Sequence, residues 1–150
     1  MAFTPHDPDF EARVRASFSR QRVMETIGAR LARVAPGEVD VEIPFRGDLT
    51  QQHGFLHAGI VSTVLDSACG YAAFTLMPAD AGVLSIEFKV NLLAPARGER
   101  VIARARVVRP GRTITVTMGD AFAVQDGRER HVAAMSATIM TVAGREHVTG

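Results

Sequence analysis

The chain has 150 residues, a length that suits one domain with a core of its own. Apolar residues make up 47% against 22% charged, which excludes a disordered chain. Its 17 basic residues, all arginine except Lys89, are offset by 16 acids to a net charge of +1, so nucleic acid is not an expected partner.

The N-terminus, MAFTPHDPDFEARVRAS, lacks the apolar stretch of a signal peptide, and the single Cys69 allows no intramolecular disulfide; both predict a reducing cytoplasm. Over residues 9–22, Phe10, Val14 and Phe18 recur at four-residue spacing with arginines between, which predicts an amphipathic helix. A short turn at 23–27 completes an N-terminal helical segment, 1–27. Residues 29–34 and 38–43 alternate apolar and polar on either side of Pro36-Gly37, the pattern of a hairpin. A loop over 44–54 leads to the run AGIVSTVLDSACGYAAFTLM at 58–77, too long for a strand and apolar nearly all round, hence a buried helix.

That run has the length of a membrane span, but Asp66, Ser62, Thr63, Ser67 and Thr75 would lie at membrane depth, and its flanks carry no basic or aromatic anchor. A core helix is the better reading, with no membrane partner. After Gly82, the residues Leu84, Ile86, Phe88, Val90 and Leu92 alternate with Ser85, Glu87, Lys89 and Asn91, predicting a strand with one apolar face. Residues 101–107, 113–124 and 130–142 supply three further strands, separated by turns at Pro110-Gly111 and Asp126-Gly127, and 143–150 form a tail. No linker or repeat divides the chain. One α+β domain, 1–150, follows, with an antiparallel β-sheet wrapped around one long buried central helix.

Asp66 is the only charge in residues 58–77. A lone carboxylate in an apolar helix costs several kcal/mol, about the desolvation of an unpaired charge, unless it is bonded, paired or set in a working cleft. The segment Gln51-Gln52-His53-Gly54-Phe55-Leu56-His57-Ala58-Gly59, followed by Leu65-Asp66, resembles the signature of acyl-CoA thioesterases of the phenylacetate-degradation (PaaI-like) type, which share the hotdog fold. Gly54, His57, Gly59 and Asp66 fall at the family's spacings. The similarity continues through residues 83–88, 93–99 and 109–113. Gln51 stands where the family has Asn, and Ala58 where it has the first Gly of His-Gly-Gly.

The resemblance implies hydrolysis of an aryl- or medium-chain acyl-CoA thioester, with Asp66 as nucleophile or general base and the N–H of Ala58 as oxyanion donor. Gln51, His57 and Ser85 are its further candidate catalytic residues. Gly54 and Gly59 shape the substrate site, and Arg97, Arg109 and Arg112 are candidates for the phosphates of coenzyme A. Coenzyme A enters as part of the substrate; no other cofactor is implied, and no metal, because His53, His57 and Asp66 lack a further ligand at suitable spacing. A non-catalytic acyl-CoA-binding sensor and a hydratase of the same fold are the alternatives. Phe55, Leu56, Tyr71, Phe74 and Phe88 are either acyl-pocket residues or plain core.

Ala58 and Asp66 are separated by about 12 Å and about 800° of helical rotation, so they lie on different faces. One helix cannot offer both to one carbonyl. A homodimer with shared active sites is therefore expected, with a dimer of dimers as a further possibility.

Overall fold

The structure is a computed structural model that describes residues 2–150. Its elements are α1 (Phe10–Arg20), α2 (Arg22–Ile27), β1 (Arg30–Ala35), β2 (Glu38–Pro44), a 3-10 turn (Gly47–Leu49), α3 (Ala58–Phe74), β3 (Gly82–Leu92), β4 (Arg100–Arg109), β5 (Ile114–Gln125) and β6 (Arg128–Val142). The N-terminal helix expected over 9–22 breaks at Gln21, whose backbone is extended at φ −80° and ψ 97°. The turn expected at 23–27 is the short helix α2.

All six strands form one antiparallel sheet in the order β1-β2-β4-β5-β6-β3. The period-two pattern accounts for its inner face: Val39, Val41 and Ile43 of β2 and Val101, Ala103, Ala105 and Val107 of β4 are buried against α3. α3 packs across β2, β4, β5, β6 and β3. Close approach is possible because β5 carries Gly119, where a Cβ would stand 3.0 Å from Cys69 Sγ and 3.2 Å from Leu65 Cδ2.

α1 lies over the C-terminal part of α3, with Phe18 and Tyr71 ring centroids 5.7 Å apart and the Arg13 guanidinium 4.2 Å from the Phe74 ring centre. The other end of α3 is open. Gly59 is exposed and Ser62, Thr63 and Asp66 are half-buried, a stripe at helical spacing that faces away from the sheet. The run is thus not buried all round. α3 also ends at Phe74, short of residue 77, where Thr75 Oγ1 donates to the carbonyl of Ala72 and accepts the N–H of Gly37, each at 2.7 Å. Among the described residues no helix is long and apolar enough to cross a membrane.

β3 departs from its expected alternation. Ser85 pairs with Ile139 but Glu87 with Thr138, so Ile86 is an inserted bulge residue. Paired residues of an antiparallel ladder share a face, which puts Ser85 with the buried Ile139 and Phe88 with the buried Ala137, while Leu84 pairs with Met140 on the opposite face. The apolar residues of β3 are therefore divided between two faces. Leu84, Ile86 and Phe88 are 46%, 53% and 45% exposed on this edge strand.

Candidate active site

The start of α3 is organised by its own loop. His57 is the N-cap at φ −59° and ψ 138°; its Nδ1 accepts the N–H of Gly59 at 2.8 Å, and its carbonyl accepts those of Ile60 and Val61. A Cβ at position 59 would stand 3.0 Å from Nδ1, so glycine keeps this cap open. The N–H of Ala58 is left without a hydrogen-bond partner among the described residues. It is an unfilled donor at the positive end of a 17-residue helix.

The preceding loop is held by Gln51 N–H to the Phe55 carbonyl at 2.9 Å, Gly54 N–H to the Gln51 carbonyl at 3.0 Å and His57 N–H to the Leu49 carbonyl at 3.0 Å. Gly54, at φ 80°, supplies the left-handed turn. Gln51 folds back on this loop, its Oε1 accepting the N–H of His53 at 2.5 Å. Gln51, His57 and Ala58 line one cleft of about 470 Å³, walled by Phe55, Leu92 and Leu93.

Asp66 stands elsewhere, two turns along α3. Ser85 Oγ donates to its Oδ1 at 2.7 Å, a contact delivered by the β3 bulge. The two line a separate cleft of about 370 Å³ with Thr63, Tyr71 and Leu84. Gln21, at the break between α1 and α2, closes one side: Ser67 Oγ donates to its Oε1 at 2.9 Å and its Nε2 donates to the Tyr71 hydroxyl at 3.3 Å.

Asp66 and Ser85 are thus brought together, and so are Gln51, His57 and Ala58, but the two groups occupy different clefts of one chain. Arg97 lies beside the Ala58 cleft, in a neighbouring one that shares Phe55. Arg112 lines a cleft with Leu76, Met77 and Pro78 at the far end of α3, and Arg109 closes β4 opposite Val116. Phe74 is fully buried core, whereas Phe55 and Leu56 line the Ala58 cleft and Tyr71 the Asp66 cleft. Cys69 offers no nucleophile, since burial pushes its thiol up to about 12.

Sequence reading missed Gln21, Ser67 and the pair Arg128 and Arg130. Gln21 carried a weak signal, a polar residue between two helical patterns. The arginines alternate on β6 immediately after Asp126-Gly127, where they read as ordinary solvent-facing charge.

The model of the thioesterase superfamily matches residues 53–129, more than half of the chain. The chain belongs to the thioesterase superfamily. A thioesterase family protein from Silicibacter pomeroyi is 59% identical and superimposes with a TM-score of 0.89, covering 90% of this chain and 99% of that one. Human acyl-coenzyme A thioesterase 13 is 30% identical over 91 residues, 60% of this chain and 64% of the human protein. The PaaI protein of the phenylacetic acid degradation operon of Escherichia coli, 16% identical, shares the fold with a TM-score of 0.81 over 91% of this chain and 95% of that one. The six-stranded antiparallel sheet around α3 is the hotdog fold of these thioesterases, and the chain is a thioester hydrolase.

In such an enzyme a carboxylate attacks the thioester carbonyl or activates water, and a donor takes up the charge on the carbonyl oxygen. Asp66 is a carboxylate in one of the two clefts, and the N–H of Ala58 is a donor without a partner among the described residues in the other.

Proposed function

We propose that this thioesterase hydrolyses acyl-CoA thioesters, with an aryl- or medium-chain acyl group, at sites shared between two copies of the chain in the cytoplasm. The observation that carries the reading is the separation of its two half-sites: the Ser85-bonded carboxylate of Asp66 in one cleft, the unpartnered N–H of Ala58 in another. A second α3, antiparallel to the first, brings Asp66 of one copy to Ala58 of the other. The open stripe Gly59, Ser62, Thr63, Asp66 is the surface available for that approach.

The substrate carbonyl oxygen accepts the N–H of Ala58, and the acyl group enters the Asp66 cleft between Tyr71 and Leu84, whose 370 Å³ suit an aryl or medium-chain group. Asp66 acts in one of two ways. As nucleophile it attacks the carbonyl carbon; the C–S bond breaks, the thiolate takes a proton from water, and water then hydrolyses the mixed anhydride. As general base it takes a proton from water while the water oxygen attacks; the tetrahedral oxyanion collapses, the C–S bond breaks and the thiolate receives that proton. Ser85 holds Asp66 by one oxygen, leaving the other for this work.

The test is thiol release from a panel of acyl-CoA thioesters by the wild type and Asp66→Asn. The amide neither attacks nor accepts a proton, so a folded variant should lose about 10²–10⁴-fold in kcat. Wild-type turnover by that variant overturns the role of Asp66, and a panel left intact by the wild type overturns the substrate class.

A further inference from the structure

A wide cleft beside the site is lined by charge that the established family chemistry does not use. About 740 Å³ in volume, it lies between the β3–β4 loop and the β5–β6 hairpin and is bordered by Arg97, Arg128 and Arg130. Several arginines elsewhere on the sheet are matched with acids, as in Arg30 with Glu42, Arg33 with Glu38 and Arg104 with Glu129, whereas Arg106 and Arg109 of β4 make no ion pair among the described residues. Among the described residues none of Arg97, Arg128 and Arg130 makes an ion pair.

Two acids share the cleft, and one is already engaged. Arg104 donates to both oxygens of Glu129, at 2.7 and 2.5 Å, so the charge of that carboxylate is already matched. Asp126 is left as the single unengaged acid against three guanidinium groups. Arg130 is also positioned, its guanidinium donating to the carbonyl of Pro95 and tying β6 to the loop that carries Arg97. Arginine clusters of this kind bind phosphate through charge-assisted, paired hydrogen bonds.

The decisive feature is continuity. Phe55 belongs to this cleft and to the one that holds Ala58, and the latter is walled by Leu92 and Leu93, 55% and 53% exposed. A ligand that runs from several phosphates through an uncharged arm to a thioester matches this sequence of surfaces. We propose that Arg97, Arg128 and Arg130 hold the phosphates of the coenzyme A moiety, with the pantetheine arm crossing Phe55 to reach Ala58, so that these arginines select CoA thioesters over thioesters lacking the nucleotide. Arg109 and Arg112, toward the other end of α3, take no part. This inference rests on the acyl-CoA reading above and adds the nucleotide subsite and two residues to it.

The test uses Arg97→Ala, Arg128→Glu and the double variant; both side chains are exposed and make no hydrogen bond or ion pair among the described residues, so the variants should fold. Each is assayed on one acyl group presented as its CoA thioester and as its N-acetylcysteamine thioester, and free CoA binding is measured by calorimetry. The expected result is a rise of tenfold or more in KM for the CoA thioester in the double variant, kcat within about twofold, and an unchanged rate on the truncated substrate. Affinity for free CoA should fall in parallel and weaken with salt. CoA binding that survives the double variant, or an equal loss on both substrates, overturns the subsite. CoA binding that requires the arginines while no thioester is hydrolysed supports the subsite and sinks the acyl-CoA hydrolase reading instead.

Discussion

Ser85 reaches Asp66 because β3 contains one residue more than its partner strand. The hydroxyl contact of 2.7 Å fixes one carboxylate oxygen, and a hydrogen bond to a charged group contributes about 1.5–3 kcal/mol, on the order of 10–100-fold if it acts in the transition state. Ser85→Ala should therefore lower kcat by that factor with little change in KM, and Ser85→Thr should recover most of the loss. Unchanged kcat in the alanine variant would reduce Ser85 to a strand residue. Family resemblance put Ser85 near Asp66, but the bulge that delivers the contact was not legible: the alternation from Leu84 to Leu92 continues across it as though no residue were inserted, because a bulge changes pairing without changing composition. The same holds at Gln51, whose side chain turns back to His53 through a bond between near neighbours that no apolar period records. Asp66 was legible for the opposite reason: a charge in an otherwise uncharged 20-residue run contradicts its surroundings.

At the scale of elements, periodicity located every strand to within a few residues and the central helix at its start; its end depended on contacts far along the chain. Arg13 of α1 donates to the carbonyls of Phe74, Met77 and Pro78 at 3.2, 2.8 and 2.9 Å, taking up groups that the end of α3 leaves free. Asp7 lies 2.8 Å from Arg13 Nε, and both side chains are largely buried. Burial pulls the Arg13 pKa down, opposed by the charge of Asp7. Removing the cation leaves these carbonyls without their donor and the largely buried Asp7 carboxylate without its counter-charge, held only by the N–H of Asp9, so Arg13→Met should cost about 3–5 kcal/mol in urea unfolding. A loss under about 1 kcal/mol would mean that water replaces the guanidinium. None of this was readable in the sequence, since 61 to 65 residues separate Arg13 from the carbonyls it caps. The break at Gln21 has the same origin, its side chain being held by Ser67 and Tyr71 across the helix pair.

For the whole molecule, three features argue that the chain works beside a second copy. The half-sites occupy different clefts, α1 leaves the first two turns of α3 uncovered, and β3 presents partly exposed Leu84, Ile86 and Phe88 on an unpaired sheet edge. An exposed apolar edge strand is an association hazard unless another chain covers it. The expectation of a partner could be argued from helix geometry alone; the uncovered stripe of α3 and the exposed edge of β3 are visible only in the fold. Mixing two inactive variants tests the shared site. Asp66→Asn removes the carboxylate, and Ala58→Pro removes the donor N–H while suiting the local backbone: position 58 opens the helix, its N–H bonds to nothing among the described residues, and His57 at φ −59° and ψ 138° has the conformation favoured before proline. Each homodimer should be nearly inactive. In the heterodimer, Asp66 of the Ala58→Pro chain meets an intact Ala58 on the Asp66→Asn chain, while the other site is doubly damaged, so up to half of the wild-type activity per dimer should return. Differently tagged chains, refolded together and purified as the mixed species, provide the measurement by thiol release. If both parents are folded and the verified mixed species stays as inactive as they are, the carboxylate and its donor do not come from different chains.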